Sequence, residues 1–173
     1  MPEIDLRATI RDIPDFPKPG ILFRDITPLL ADPAALGSVI DRLAEHFADR
    51  DVDAVAAAEA RGFMFGTPLA LRLNVGFVPI RKPGKLPFNK LSQEYQLEYG
   101  TDRLEMHSDA LTRGHRILLI DDVLATGGTM KACCDLVAAT GAEVLACAFV
   151  IELSFLEGRK LLSPTEVFSL VTY

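Results

Sequence analysis

The chain has 173 residues and a formal net charge of −6, with 49% hydrophobic and 24% charged residues. This length and balance are typical of a single globular domain with a sizeable core. The mild acidity and the lack of a basic stripe argue against a nucleic-acid partner, and no apolar run is long enough to span a membrane.

The first part of the chain is predicted to pass from an irregular segment into a helix. Residues 14–20, Pro-Asp-Phe-Pro-Lys-Pro-Gly, are rich in helix breakers, and we expect the irregular stretch to continue to Phe23. Asp32 and Pro33 then have the pattern of an N-cap and a first helical position. Apolar residues follow at helical spacing: Leu36, Val39, Ile40, Leu43 and Phe47. A helix is therefore predicted over 34–49.

Strands and helices alternate through the rest of the chain. Apolar runs predict buried strands over 52–58, 76–80, 117–120, 144–151 and 166–172, and helices are predicted over 62–73 and 128–140. This alternation predicts an α/β fold, with a mostly parallel sheet flanked by helices. Ligands of such sheets bind beyond the carboxyl ends of the strands, where we expect Arg61, Arg81 and the residues after Ile120 to meet.

Residues 83–103 differ in character from their surroundings. They contain several helix breakers and lysines, while residues 93–99 partly alternate between polar and apolar types, which is typical of one arm of a hairpin. A long polar stretch inside a compact domain is usually functional or disordered. We therefore expect a mobile loop over approximately 83–100.

The three cysteines indicate a reducing compartment. Cys133 and Cys134 are adjacent and cannot easily pair with each other, and Cys147 leaves an odd number without metal-ligand spacing. We interpret all three as reduced core thiols of a cytoplasmic protein. The first five residues lack the basic and apolar regions of a signal peptide, which favours the same localisation.

A loop of small residues lies between a predicted strand and a predicted helix. Its sequence is Ala125-Thr126-Gly127-Gly128-Thr129. Backbone amides of such a loop can approach an anion closely, and the helix behind it adds free N–H groups and a favourable dipole. The patterns of a P-loop and of a dinucleotide-binding turn are both absent. The segment therefore predicts a cradle for a monophosphate.

Two carboxylates, Asp121 and Asp122, stand directly before this loop. Ionised carboxylates accept hydrogen bonds from the vicinal hydroxyls of a ribose, and they also attract a divalent cation. The alternative is that the pair merely ends a strand and caps the next turn. The phosphate loop that follows favours a sugar phosphate as the ligand.

The segment ILLIDDVLATGGT (117–129) resembles the phosphoribosyl pyrophosphate (PRPP) motif of the type I phosphoribosyltransferases. Four further blocks resemble, in order, the adenine-specific members of that family: DFPKPGILFRDITPLL (15–30), EARGFMFG (59–66), FVPIRKPGKLP (77–87) and LEYGTDRLEMH (97–107). The segment FNKLSQEY (88–95) departs from the family pattern. The resemblance implies one domain over residues 1–173, with a small hood over approximately 1–33.

The resemblance also implies a reaction and its partners. Adenine and PRPP would give AMP and pyrophosphate in purine salvage, with Mg²⁺ as cofactor, and members of the family are typically homodimers. No strong protein ligand for the metal is expected. The ion would be held mainly by PRPP, with Asp121 and Asp122 available to assist.

Site roles follow from the resemblance, residue by residue. Asp121 and Asp122 would bind the ribose, and residues 125–129 the 5′-phosphate. The adenine site would be formed by Leu22, Phe23, Arg24 and Leu124. The pyrophosphate side would be formed by Arg61, Arg81, Lys82, Lys85 and Tyr99, and one of the basic residues would reach across a dimer interface. For Phe23, ordinary core packing is the structural alternative.

The chemistry requires charge stabilisation and one proton acceptor. The sugar passes through an oxocarbenium-like state, so no protein nucleophile is needed, and Arg61 is expected to stabilise the charge of the departing pyrophosphate. Adenine must lose its N9 proton, which makes a general base plausible. Glu98 matches the family's candidate for this role, and Glu59 is a second candidate.

Two other function classes are compatible with the PRPP motif. One is a phosphoribosyltransferase for another base, such as a 6-oxopurine, which the hood residues would decide. The other is a non-catalytic PRPP-sensing regulator, which would be expected to carry a nucleic-acid-binding part or a basic face that this acidic chain lacks. A PRPP synthetase carries a related motif, but this chain is too short for one.

Overall fold

The computed structural model describes residues 4–96 and 100–173. A short 3-10 turn at Leu6–Thr9 leads into a two-stranded antiparallel hairpin, β1 (Arg11–Pro14) and β2 (Leu22–Asp25), followed by the short helix α1 (Thr27–Ala31). The predicted irregular stretch is therefore too long, because Leu22 and Phe23 belong to β2. The helix breakers instead form the turn between the strands, where Asp15 accepts a hydrogen bond from the Gly20 amide at 2.8 Å.

The predicted helix after this hairpin is confirmed as α2 (Pro33–Phe47). Its N-cap is Asp32, whose carboxylate accepts hydrogen bonds from the amides of Ala34 and Ala35. The next elements are β3 (Ala54–Ala58), α3 (Arg61–Leu73) and β4 (Gly76–Ile80), in agreement with the predicted strand, helix and strand.

The predicted mobile loop is largely an antiparallel hairpin among the residues that the structure describes. Its strands are β5 (Lys90–Gln96) and β6 (Thr101–His107), paired from Lys90 opposite His107 to Gln96 opposite Thr101. The predicted arm over 93–99 overlaps β5, whereas β6 was not predicted, because its charged residues and its three consecutive buried residues do not alternate. Exposed and half-buried residues alternate along β5, so one face is wet and the other packs on the domain.

The remaining elements complete a parallel sheet. They are β7 (Arg116–Leu124), α4 (Gly128–Ala139), β8 (Glu143–Glu152), α5 (Gly158–Leu162) and β9 (Glu166–Thr172). The strand order is β4-β3-β7-β8-β9, and each of these pairs is parallel. The predicted sheet and fold class are confirmed. The carboxyl ends of these strands therefore share one edge.

Strand β7 is longer than predicted, because its pairing with β8 continues past Ile120. Asp121 lies opposite Phe149, and Leu124 lies opposite Glu152. The acidic pair is therefore part of the strand and does not follow it. Alternate side chains of β7 enter two hydrophobic cores, with Leu118 packed in the core that includes α2 and α3, and Leu119 in the core that includes α4.

The three cysteines are unpaired, with Cys133 and Cys147 buried and Cys134 half-buried. The Sγ atoms of Cys134 and Cys147 lie 3.6 Å apart. Among the described helices, none is both long and apolar enough to cross a membrane.

Candidate active site

A cavity of about 330 Å³ opens at the carboxyl edge of the sheet, beside β7 and β8. Its lining comprises residues 21–24 of the N-terminal hairpin, Arg61, residues 121–130, Phe149 and Leu153. The cavity therefore brings together the residues predicted for phosphate, ribose and adenine, together with Arg61 at the start of α3. These segments are far apart in the sequence and meet because parallel strands end at one edge.

The small-residue loop over 125–129 forms one wall of the cavity. Gly127 has φ +89°, a left-handed conformation that glycine adopts without strain. Helix α4 begins immediately afterwards and has no side-chain N-cap, so its first amides lack the carboxylate or hydroxyl acceptor that commonly satisfies them. This geometry suits an anion at the N-terminus of the helix.

Asp122 has a buried carboxylate oxygen that accepts no hydrogen bond from the described residues. Its Oδ2 lies 2.9 Å from Nε of Arg61, but the N–H does not point at it, and no hydrogen-bond donor reaches this oxygen from the described residues. A buried acceptor without a donor costs about 1–3 kcal/mol. A ligand hydroxyl or a cation would satisfy this atom.

Asp121 is also disfavoured in its charged form, by burial and by the neighbouring charge of Asp122. Its Oδ1 accepts a hydrogen bond from the Asp122 amide at 2.9 Å. Burial, followed by the charge of Asp122, raises the pKa of Asp121 well above its ordinary value. Two neighbouring carboxylates that resist joint ionisation would be stabilised by donors or by positive charge from a ligand.

The residues present fit Mg²⁺ only as an ion that brings most of its own ligands. Over 4–96 and 100–173, no group of three His, Cys, Asp or Glu side chains is placed to hold a metal. Oδ2 of Asp122, which accepts no hydrogen bond from the described residues, and the neighbouring Asp121 nevertheless offer hard oxygen ligands at the cavity.

The basic residues predicted for pyrophosphate separate into two groups. Arg61 lines the cavity, and its side chain is half exposed. Arg81 is ion-paired with Glu59 at 2.7 Å, and Lys82 contacts Asp102 and lies 3.2 Å from the Tyr95 hydroxyl. Lys82, Arg81 and Lys85 are not part of the cavity lining.

Glu59 anchors this second group and does not resemble a general base. Burial acts to raise the pKa of Glu59, but hydrogen bonds from the Lys82 amide and the Arg81 side chain hold that pKa below its ordinary value. A carboxylate of lowered pKa is a weak base near neutral pH. The other candidate, Glu98, lies outside the described residues, as does Tyr99.

Three predicted base-binding residues, Leu22, Phe23 and Arg24, line the cavity from β2 of the N-terminal hairpin. Leu22 lies opposite Pro14 in the hairpin, and proline has no N–H to donate to the Leu22 carbonyl. Phe23 packs edge-on against Phe16, with ring centroids 5.1 Å apart. Leu124 lines the same cavity, so an aromatic and an aliphatic side chain both border it.

Arg24 is held by the far end of the chain. Its guanidinium contacts Asp12 and lies 3.6 Å from the centroid of the Tyr173 ring. The Tyr173 amide in turn donates to the Glu152 carbonyl at 2.9 Å. The N-terminal hairpin is thereby fixed to the strand β8 that precedes Leu153.

Sequence reasoning missed five cavity residues: Ile21, Val123, Met130, Phe149 and Leu153. Leu153 directly follows β8, so the rule that ligands bind at the carboxyl ends of strands pointed to its position. Met130 and Phe149 carry no polar signal. Their place in the cavity depends on β8 lying next to β7, which the sequence pattern does not specify.

Comparisons with known proteins agree with this architecture. The model of the phosphoribosyl transferase domain matches residues 26–171. An adenine phosphoribosyltransferase of Methylococcus capsulatus is 63% identical over 168 residues, covering 97% of this chain and 98% of that protein. One from Rhodopirellula baltica is 58% identical over 170 residues, covering 98% of this chain and 82% of that protein.

Solved structures agree with these sequence relatives. The adenine phosphoribosyltransferase of Thermoanaerobacter pseudethanolicus superposes with a TM-score of 0.95 and 53% identity, with 98% of each chain covered. The Saccharomyces cerevisiae enzyme superposes with a TM-score of 0.91 and 40% identity, with 96% of each chain covered. That yeast structure holds adenine and an imino-altritol bisphosphate.

Proposed function

Because the chain belongs to the phosphoribosyl transferase domain family and, within it, to the adenine phosphoribosyltransferases, we propose that the cavity beside β7 and β8 is its active site. The enzyme transfers the 5-phosphoribosyl group from PRPP to adenine and releases AMP and pyrophosphate, a reaction of purine salvage. One observation carries the assignment of the site. A single cavity is lined by the loop over 125–129, by the carboxylates of Asp121 and Asp122, and by the apolar side chains of Phe23 and Leu124.

PRPP is held at both ends of its ribose. The loop over 125–129 and the first amides of α4 bind the 5′-phosphate, and Asp121 and Asp122 accept hydrogen bonds from the ribose hydroxyls. The ribose hydroxyls would supply the donor that Oδ2 of Asp122 lacks. Fixing the sugar in this way orients its anomeric carbon toward the base, which lowers the entropic cost of the transfer.

Departure of pyrophosphate requires positive charge near its oxygens. Arg61 lines the cavity beside Asp122, and it supplies charge at the side of the acidic pair. Arg81, Lys82, Lys85 and Tyr99 complete the pyrophosphate side. Mg²⁺, when bound with PRPP, would neutralise further negative charge on the leaving group. Glu98 accepts the N9 proton of adenine.

Adenine enters the slot between Phe23 and Leu124. The edge of the base presents an acceptor at N1 beside a donor at N6, and the backbone of Leu22 offers an N–H and a C=O to that pair. The proline opposite Leu22 supports this assignment, because it cannot occupy the Leu22 carbonyl. Residues 1–33 act as a hood that carries this strand.

Assembly and localisation complete the proposal. The chain forms a homodimer in which one basic residue of the pyrophosphate side reaches the partner's active site. The three unpaired thiols fit the reducing cytoplasm.

The test is product formation from purified protein. With PRPP and Mg²⁺, adenine should give AMP and pyrophosphate, and removal of Mg²⁺ with a chelator should abolish turnover until Mg²⁺ is restored. Parallel reactions with hypoxanthine, guanine and xanthine identify the base. Turnover of one of those three bases without turnover of adenine would contradict the function.

A further inference from the structure

Helix α5 supports the phosphate loop through direct contact between two glycine backbones. A Cβ atom placed on Gly158 would lie 2.4 Å from the Ala125 carbonyl oxygen and 3.2 Å from the Gly127 nitrogen. A Cβ atom placed on Gly127 would lie 2.8 Å from the Gly158 carbonyl oxygen. Because real Cβ atoms do not approach backbone this closely, both positions require glycine at this contact.

Gly158 is fixed in place by a clamp on its neighbour. Arg159 donates to both carboxylate oxygens of Glu152, at 2.5 and 2.6 Å, and to the Val167 carbonyl at 2.7 Å. Glu152 is buried at the end of β8 and also accepts a bond from the Ser169 hydroxyl at 2.7 Å. The helix is thus tied to two strands of the sheet.

The clamp is stronger than a surface ion pair. Hydrogen bonds from Arg159 lead the effects that hold the pKa of Glu152 below its ordinary value, even though burial opposes them. A bidentate pair between a guanidinium and a carboxylate fixes orientation as well as distance. The backbone of Gly158 therefore has a defined position against which the loop can rest.

We propose that Gly158 and Arg159 are positioning residues for the 5′-phosphate: α5 forms the back wall of the cradle and sets where the loop amides stand. This inference rests on the proposed function of the loop over 125–129. The motif that carries the phosphate contacts ends at Thr129, so its geometry depends on a helix that begins 29 positions later in the chain.

The 5′-phosphate keeps its bonds throughout the reaction, which defines a kinetic signature. An interaction made equally in the ground state and the transition state changes KM without changing kcat. For Gly158→Ala we therefore expect KM for PRPP to rise at least about tenfold, while kcat and KM for adenine stay within about threefold of the unsubstituted enzyme. A role confined to stability would lower Tm and leave both KM values unchanged.

Gly37→Ala is the matched control. Gly37 lies in α2, and a Cβ atom there would meet nothing within 4 Å. This variant should retain both KM values. If Gly158→Ala also retains the KM for PRPP in a folded protein, the positioning role is overturned.

Arg159→Lys keeps the inference testable if Gly158→Ala does not fold. Lysine retains the charge but loses the two parallel bonds to Glu152, so KM for PRPP should rise at least about threefold with KM for adenine unchanged. Arg72→Lys is its control, because Arg72 of α3 forms an exposed pair with Asp41 of α2. Equal KM values for PRPP in Arg159→Lys and Arg72→Lys would overturn the role of the clamp.

Failure of the proposed function would look different. In that case the unsubstituted enzyme and Gly37→Ala would form no AMP from adenine and PRPP. Failure of the positioning inference alone leaves both of these proteins active.

Discussion

Oδ2 of Asp122 lies beside the charge of Arg61 but accepts no hydrogen bond from the described residues, and this one atom indicates what the cavity receives. A protein that only needed stability would not bury an acceptor without a donor, since the cost is about 1–3 kcal/mol. A sugar hydroxyl that donates to this oxygen would remove that cost when the substrate binds. The residues of this site are therefore less stable without substrate than their packing alone would allow.

The acidic pair is expected to lower the stability of the ligand-free protein while it supports catalysis. The folded-state pKa of Asp121 is raised above its ordinary value of 3.8, so the folded protein binds more protons than the unfolded chain between those two values. The free energy of unfolding therefore falls as pH rises through that window. Asp121→Asn, which cannot ionise, should raise the Tm of the ligand-free enzyme at neutral pH.

The same substitution should reduce catalysis. Asparagine has one acceptor oxygen and no charge, so each of Asp121→Asn and Asp122→Asn should lower kcat/KM at least about tenfold, or about 1.4 kcal/mol of transition-state stabilisation. Steady-state kinetics and thermal unfolding across pH measure the two effects. The ribose assignment is wrong if neither substitution alters kcat/KM or the Mg²⁺ requirement.

Gly127→Val should abolish the binding of AMP and PRPP while the fold survives. The sequence predicts this from the close approach of an anion to the loop amides. The structure adds the positive φ of Gly127 and the Gly158 carbonyl 2.8 Å from a Cβ atom. Calorimetry with AMP tests it, with circular dichroism to verify folding. Gly76→Val is the control, since no atom lies near its Cβ position. Unchanged AMP affinity would refute the cradle.

The base should be selected by backbone atoms of Leu22. Hypoxanthine presents a donor at N1 and an acceptor at O6, so both contacts would oppose like with like, at roughly 1–3 kcal/mol for each unpaired group. Sites of this kind discriminate by about 10⁴ or more. We expect AMP from adenine, negligible IMP from hypoxanthine, and the same selectivity in Leu22→Met. Comparable kcat/KM for the two bases would overturn this reading.

At the scale of elements, the hairpin of β5 and β6 is joined to the domain by polar contacts along β6. Lys82 and the hydroxyl of Tyr95 both contact Asp102, and Arg81 exchanges two backbone hydrogen bonds with Glu105. Leu104 and Met106 of β6 are fully buried in the core that includes α4, and Leu91 and Tyr95 of β5 pack against that core. Apolar packing along both strands therefore also holds the hairpin.

Residues 83–100 should act as a lid that closes over PRPP. Amide hydrogen exchange over 83–100 should be fast in the free enzyme and slow with PRPP and Mg²⁺, because closure excludes water from the reaction. Helix α2 serves as the internal control, since its exchange should not change. Equal protection of residues 83–100 in both states would argue against a lid.

The element pattern could be predicted from the sequence where one physical signal dominated. The strands β3 and β4 are short apolar runs, and α2 has both an N-cap and helical spacing, so these elements were predicted almost to their ends. The extension of β7 through Asp121 could not be predicted, because acidic residues are rare in strands and only the pairing with β8 holds them there.

The site was predicted where it lies within one continuous motif. The phosphate loop and acidic pair are contiguous, so their chemistry can be read from spacing alone. Leu153, Gly158 and the Arg159 clamp depend on which strands are neighbours, and a single sequence does not state that order. The partners of Arg81 and Lys82 likewise depend on how β6 meets β4.

At the scale of the whole molecule, the N-terminal hairpin and the end of the chain meet beside the cavity, at Arg24. Tyr173 lies between two arginines. The guanidinium carbons of Arg7 and Arg24 lie 4.3 and 3.6 Å from the centroid of the Tyr173 ring. The N-terminal hairpin is thereby anchored to β8 and β9, and the cavity is closed by parts of the chain that are distant in sequence.

The assembled enzyme is expected to be a dimer. Light scattering coupled to size-exclusion chromatography should give about twice the 18.9 kDa of one chain. Large apolar side chains such as Leu71 and Phe88 are exposed in the single chain, and burial of such surface stabilises association. A monomeric mass at assay concentration, with full activity, would contradict the proposed contribution of a partner residue.

The order of the sheet has a consequence for how the enzyme comes into being. A ribosome makes residues 117–129 before it makes β8, yet β7 lies between β3 and β8 in the finished sheet. The nascent chain therefore contains its most recognisable motif while the strand that carries it still has one unpaired side. Only when the chain beyond residue 158 has emerged do the loop, its glycine support and Leu153 exist together. The ability to bind PRPP thus arises late in translation, in contrast to the early appearance of the motif.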